Sequence, residues 1–120
     1  MKRNRELGNI YEERAASILV NDGYTILERN YQLKIGEIDI IAKKNETIVF
    51  VEVKYRSSLK FGYGVEAVDL KKIKKIYRVA RIYLTKHKNL DKNIRFDCIS
   101  FLGDKMSWTK NLVWGDEIGF

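Results

Sequence analysis

The chain has 120 residues, 45% hydrophobic and 32% charged, which suits one globular domain spanning residues 1–120 and excludes a disordered, core-less chain. Lys and Arg outnumber Asp and Glu by 23 to 16, a net charge of +7 with a pI near 9.5, so an anionic partner is expected, nucleic acid before any other. A single cysteine, Cys98, excludes an internal disulfide and a cysteine-rich zinc site; no stretch approaches the ~18 apolar residues of a membrane span, so no membrane partner is expected and the cytoplasm is the default compartment.

From about Asn4 to Asn21, Leu7, Ile10, Tyr11, Ala15, Ile18 and Leu19 recur at helical spacing, and Asp22-Gly23 ends the run. Glu12 falls at the margin of the apolar arc beside Gly8, Ala15 and Ala16, while Glu13 falls on the far side as a solvated charge. From the helix alone, Glu12 reads as an edge ion pair with Arg14 or Arg29. Tyr24 to Leu33 then reads as a first strand.

Gly36 to Arg56 is the informative stretch. Glu37–Ala42 and Thr47–Lys54 are rich in β-branched residues, with Lys43-Lys44-Asn45-Glu46 as polar turn material. Four charges interrupt this apolar hairpin: Glu37, Asp39, Glu52 and Lys54. A two-residue turn at Asn45-Glu46 would oppose Lys44 to Thr47, Ile41 to Phe50, Asp39 to Glu52 and Glu37 to Lys54 on shared faces. Carboxylates opposed at ~4.5–5.5 Å between Cβ atoms repel unless a cation or a proton lies between them. Mg²⁺ is the simplest cation for one or two carboxylates. An odd-length turn would separate Asp39 from Glu52 and remove the argument.

Arg56 to Tyr63 is a loop, in which Lys60, Phe61 and Tyr63 either touch nucleic acid or anchor the loop on the core. Glu66 to about Lys86 is a second helix with a buried arc of Leu70, Ile73, Ile76, Tyr77, Ala80 and Leu84. Lys71, Lys74, Lys75, Arg78 and Arg81 make a basic stripe opposite, either a solvated face or a phosphate-facing one. Lys72 stands apart at the core margin, and His87 reads as an exposed loop residue. Ile94 to Leu102 is a strand, with Met106–Thr109 returning. Trp108, Trp114 and Phe120 either cap the core or form a dimer contact. The order α-β-β-β-α-β implies a central sheet with helices on it, and the second helix is a crossover long enough to make the next strand parallel to its neighbour.

Gly8, Glu12 and Ala15, Gly23-Tyr24, Arg29-Asn30-Tyr31, Gly36-Glu37-Ile38-Asp39, Phe50-Val51-Glu52-Val53-Lys54 with Arg56, Lys72 and Arg95-Phe96-Asp97 resemble the YraN-like family of small bacterial proteins over nearly the whole chain. That family is similar to the PD-(D/E)xK nuclease superfamily, Holliday-junction resolvases included. The resemblance implies an α/β fold with a restriction-endonuclease-like αβββαβ core, a mixed central sheet flanked by helices. It implies that Asp39 is the superfamily's first aspartate, that Glu52 and Lys54 are its E-x-K, and that Glu12 is the first-helix glutamate that completes the metal site. Ile38 stands where proline gives the superfamily its name.

The expectation is a Mg²⁺- or Mn²⁺-dependent endonuclease. Asp39, Glu52 and Glu12, with the Val53 carbonyl, hold the metal, and Lys54 acts on water or phosphate. Arg56, Lys60, Lys71, Lys72, Lys74, Lys75 and Arg78 bind nucleic acid, with DNA favoured and branched forms included. A resolvase-like role would suit a homodimer. The alternatives are a non-catalytic nucleic-acid-binding module on the same fold, and a scaffold whose hairpin charges form buried pairs such as Glu37–Lys54.

Overall fold

The computed structural model describes residues 2–56, 70–88 and 93–112, without the side chains of residues 2–7 and Leu70. Helix α1 (Lys2–Asn21) ends at Gly23, whose φ of 93° turns the chain so that the Tyr24 N–H reaches the Leu19 carbonyl at 2.9 Å. Strands β1 (Thr25–Leu33), β2 (Gly36–Lys44) and β3 (Thr47–Arg56) then run antiparallel in sequence order. Helix α2 (Leu70–Lys86) crosses over, so that β4 (Asn93–Leu102) lies parallel to β3, and β5 (Lys105–Thr109) returns antiparallel. The sheet order is β1-β2-β3-β4-β5. This is the mixed sheet flanked by two helices that the sequence implied. The expected start of the second helix at Glu66, the loop residues Lys60, Phe61 and Tyr63, and Trp114 and Phe120 lie outside the described residues.

Alternation along the strands sorts the core into two layers. Ala15, Ala16 and Leu19 of α1 pack on Ile40, Val49, Val51, Ile99 and Phe101. Ile73, Ile76, Tyr77, Val79 and Ala80 of α2 pack on Ile38, Ile41, Ile48, Phe50 and Phe96. Each large side chain so buried contributes about 1.5–3 kcal/mol. Trp108 is half-buried against the α1 layer, so it caps that core.

Strand β2 breaks the alternation. Ile38 and Ile41 share the α2 layer while Ile40 and Ala42 share the α1 layer, so the pleat changes phase around Asp39. Gly36, at the start of β2, faces α2: a Cβ there would make ordinary contact with Val79 Cγ2 at 3.4 Å and Lys75 Cβ at 3.6 Å. The start of β2, the latter half of β3 and the start of α2 meet around one recess. Among the described residues, no helix is long and apolar enough to cross a membrane.

Candidate functional site

Asn45, at φ 55°, supplies the left-handed residue of a two-residue turn with Glu46. The ladder then pairs Lys44 with Thr47, Ile41 with Phe50 and Ile40 with Val51, the even register that the hairpin charges required. The paired rungs stop at Ile40–Val51. Just beyond, Asp39 Oδ2 accepts the Val53 backbone N–H at 2.8 Å. Asp39 thus replaces a backbone acceptor with its own carboxylate, and its side chain meets that of Glu52.

Glu52 is only 6% exposed, and Lys72 Nζ of α2 stands 2.8 Å from its Oε2. No described donor, Lys72 included, is aligned as a hydrogen bond to that oxygen, so the contact is an ion pair by distance and charge. Asp39 is pushed up to about 9, first by burial, then by its hydrogen bond with Glu52 and that residue's charge; the Val53 N–H opposes the rise. Burial also raises Glu12. A hydrogen bond from Asn30 opposes this, while Glu37 and Glu52 repel. Glu12 Oε1 is buried with no hydrogen-bond partner among the described residues.

The two lysines divide. Burial, then contact with Lys72, lowers Lys54, against the pull of Glu52. Burial works against the charge of Lys72 too, but its contacts with Glu52 and Lys54 outweigh it and the net shift is upward. Cys98 stands beside Glu52 on β4, and burial pushes its thiol up to about 12, so it is inert. A recess of about 350 Å³ opens between Glu12, Asp39, Glu52, Lys72 and Lys75.

Glu12 from α1, Asp39 from β2 and Glu52 from β3 line this one recess, whereas Lys54, two residues beyond Glu52, does not line it and lies beside Lys72. Lys72, read from the sequence as a nucleic-acid contact, joins them as the ion-pair partner of Glu52. Lys71, Lys74, Lys75 and Arg78 are exposed on α2. Arg56 is half-buried at the end of β3, its Nε without a partner among the described residues. Lys60 lies outside them. Glu37 is exposed, which rules out the buried Glu37–Lys54 pair of the scaffold reading. The ion pair suggested for Glu12 with Arg29 goes instead to Glu13, 2.6 Å from Arg29 Nη1.

Sequence reasoning missed Asn30. It sits in β1 at φ 52°, a left-handed conformation that Asn tolerates better than most residues, and its side chain lies beside Glu12 and favours that residue's charged form. An Asn inside a strand pattern was the available signal.

Among the described residues, no group of three or more His, Cys, Asp and Glu side chains forms a ready ligand set. The donors still fit a hard divalent cation. Two carboxylates in contact stay together only with a proton or a cation between them, and Mg²⁺ takes as few as one or two carboxylates. The orphaned Glu12 Oε1 is a third oxygen without a partner among the described residues.

A family model described as "Uncharacterised protein family UPF0102" matches residues 11–101, from α1 through β4. A UPF0102 protein of Fusobacterium nucleatum is 60% identical over 116 residues, covering 97% of this chain and 98% of its own length. Another, from Clostridioides difficile, is 53% identical over 96 residues, covering 80% and 84%. A third, from Caldicellulosiruptor saccharolyticus, is 50% identical over 95 residues, covering 79% and 80%. The matched segment holds every described member of the recess, and the chain belongs to UPF0102, the YraN-like family.

Proposed function

We propose that the protein is a metal-dependent nuclease that hydrolyses phosphodiester bonds in nucleic acid, DNA first. The observation that carries this reading is the contact of Asp39 with Glu52 where β2 and β3 part, inside a recess that also holds Glu12, with two lysines beside it. Such a cluster costs folding energy. Two carboxylates held in contact by a proton and a neighbouring lysine are a poor structural device and a good cation site.

Asp39, Glu52 and Glu12, with the Val53 carbonyl, would hold Mg²⁺ or Mn²⁺, which supplies Lewis acidity and acidifies a bound water. Lys54 is the candidate general base, because burial and Lys72 disfavour its charged form. It takes a proton as water attacks phosphorus and the P–O bond to the leaving oxygen breaks. The Val53 N–H fixes the Asp39 carboxylate, and Asn30 fixes Glu12. The exposed cations Lys71, Lys74, Lys75 and Arg78 hold the phosphate backbone along α2.

The test is a cleavage panel with Mg²⁺ and Mn²⁺ over duplex, single-stranded, flap and four-way-junction DNA, and RNA. Products that vanish with chelator and with Asp39→Asn support the nuclease. Binding of these substrates by a metal-loaded protein that cuts none of them would assign a non-catalytic nucleic-acid-binding module.

A further inference from the structure

Lys72 is set apart from the other cations of α2. Lys71 and Lys74 stay on the outer face, whereas Lys72 reaches inward to Glu52 Oε2 at 2.8 Å. Glu52 is fixed: it lies on central β3, between β2 and β4, with 6% exposure. The Lys72 side chain is 45% exposed and carries its charge on a flexible four-carbon stem. A buried anion is therefore neutralised by a cation that can swing away.

We infer that Lys72 is a tethered counter-ion that holds the divalent cation's place at Glu52 in the metal-free protein, is displaced when the metal binds, and then engages a phosphate of the bound nucleic acid. The inference rests on the metal-dependent reading above. Its logic is electrostatic. An ammonium and a divalent ion cannot both lie against one carboxylate oxygen without strong mutual repulsion in a half-buried site. The recess of about 350 Å³, which Lys75 also lines, gives the released side chain somewhere to go. There it joins the exposed cations of α2. Lys72 would so link metal loading to substrate grip: the protein neutralises its own carboxylates while empty, and takes hold of one more phosphate when loaded.

Two measurements test this without reading activity. Calorimetric titration with Mn²⁺ should show Lys72→Met binding the ion roughly tenfold tighter than wild type, because the competing cation is gone. In Ca²⁺, the same variant should bind a DNA duplex more weakly. Where Lys72→Met does not fold, the wild type decides. Acetylation of its lysines, read by peptide mass spectrometry, should show Lys72 labelling rising severalfold when Mg²⁺ is added, against unchanged Lys71 and Lys74. A folded Lys72→Met that binds Mn²⁺ no tighter than wild type overturns the inference, as does wild-type labelling indifferent to Mg²⁺ where the variant does not fold. If neither protein binds Mn²⁺, the metal-dependent reading itself is wrong and the counter-ion role falls with it. If both bind Mn²⁺ equally, the Lys72 role alone is overturned.

Discussion

Val53 donates its backbone N–H to Asp39 Oδ2 at 2.8 Å, just past the last paired rung of the β2–β3 ladder, Ile40–Val51. A side-chain carboxylate here takes the place of a backbone carbonyl. Both strands can then part without leaving the Val53 donor unsatisfied, and Asp39 is held against Glu52. The site begins where the sheet stops pairing.

That arrangement has a pH signature. In the folded chain Asp39 is pushed up to about 9, through burial first and Glu52 second, against an unfolded carboxylate near ~4. Folding therefore favours its protonated form. The stability this contributes is complete below about pH 4 and is lost as pH rises towards 9. Metal-free protein should lose stability between about pH 5 and 8. Asp39→Asn keeps an acceptor for the Val53 N–H and carries no charge. It should flatten that slope and melt several degrees above wild type at pH 8, about 2 kcal/mol. Mg²⁺ should raise the melting temperature of wild type but not of the variant. Thermal melts in chelator and in Mg²⁺ give all four values; parallel slopes would remove Asp39 as their source.

A carboxylate elsewhere in the core makes the opposite prediction. Asp97, 1% exposed, accepts from Arg95 Nε at 2.9 Å, Arg95 Nη2 at 2.9 Å, Trp108 Nε1 at 2.9 Å and the Asn111 N–H at 3.2 Å. Both oxygens are satisfied, so this network is structural. Asp97→Ala strands the Arg95 charge and should cost ~3–5 kcal/mol in urea unfolding. Glu13→Ala breaks only the surface pair with Arg29 and should cost less than ~1 kcal/mol.

Asn30 separates backbone from side-chain effects. At φ 52°, Asn30→Ala should lose ~1–2 kcal/mol, and Asn30→Gly should recover most of it. Neither keeps the side-chain amide that favours the charged form of Glu12. Both should therefore weaken Mn²⁺ binding alike, despite their different stabilities. Metal affinity that tracks stability instead would deny Asn30 a part in the site.

Replacing Lys71, Lys74, Lys75 and Arg78 together with Ala should weaken nucleic-acid binding for all sequences alike. The salt dependence should flatten by roughly one unit for each phosphate that is no longer neutralised. Affinity measured across a salt series checks this; unchanged affinity would make the stripe a solvated face and nothing more.

Much of this was legible before the fold was known. Charges at Glu37, Asp39, Glu52 and Lys54 inside β-branched runs, around a polar tetrad, fix an even register whose only requirement is a two-residue turn, and Asn45 supplies it. Helical spacing separated Glu12 from Glu13. What local pattern could not give was the point at which the ladder ends, because that depends on Asp39 competing for the N–H of a residue 14 positions along the chain. Nor could it give the partner of Lys72. Its place off the basic stripe was visible, but the match with Glu52 needs the packing of α2 onto the sheet. The Asp97 network was hidden for the same reason, since Trp108 arrives only when β5 folds back on β4.

Lys54 carries the most direct test of function. It stands opposite Ser100 on β4, two residues beyond Glu52. Burial and Lys72 work against its positive charge. A lysine so placed is a costly way to stabilise a fold and a suitable way to accept a proton. Glu37 is exposed, and Glu52 keeps Lys72 as its partner, so removing Lys54 leaves neither carboxylate buried and unpaired. Lys54→Ala should therefore change stability by less than ~1 kcal/mol and leave Mn²⁺ and substrate binding near wild type. Its single-turnover cleavage rate should drop by roughly 10²–10⁴, the usual worth of a positioned base, because the interaction is made only in the transition state. The decisive data are a melt, a Mn²⁺ titration and a cleavage rate from one preparation. A folded, metal-binding, inactive variant identifies Lys54 as catalytic. A variant that melts early makes it structural, and one that cuts at the wild-type rate removes it from the reaction.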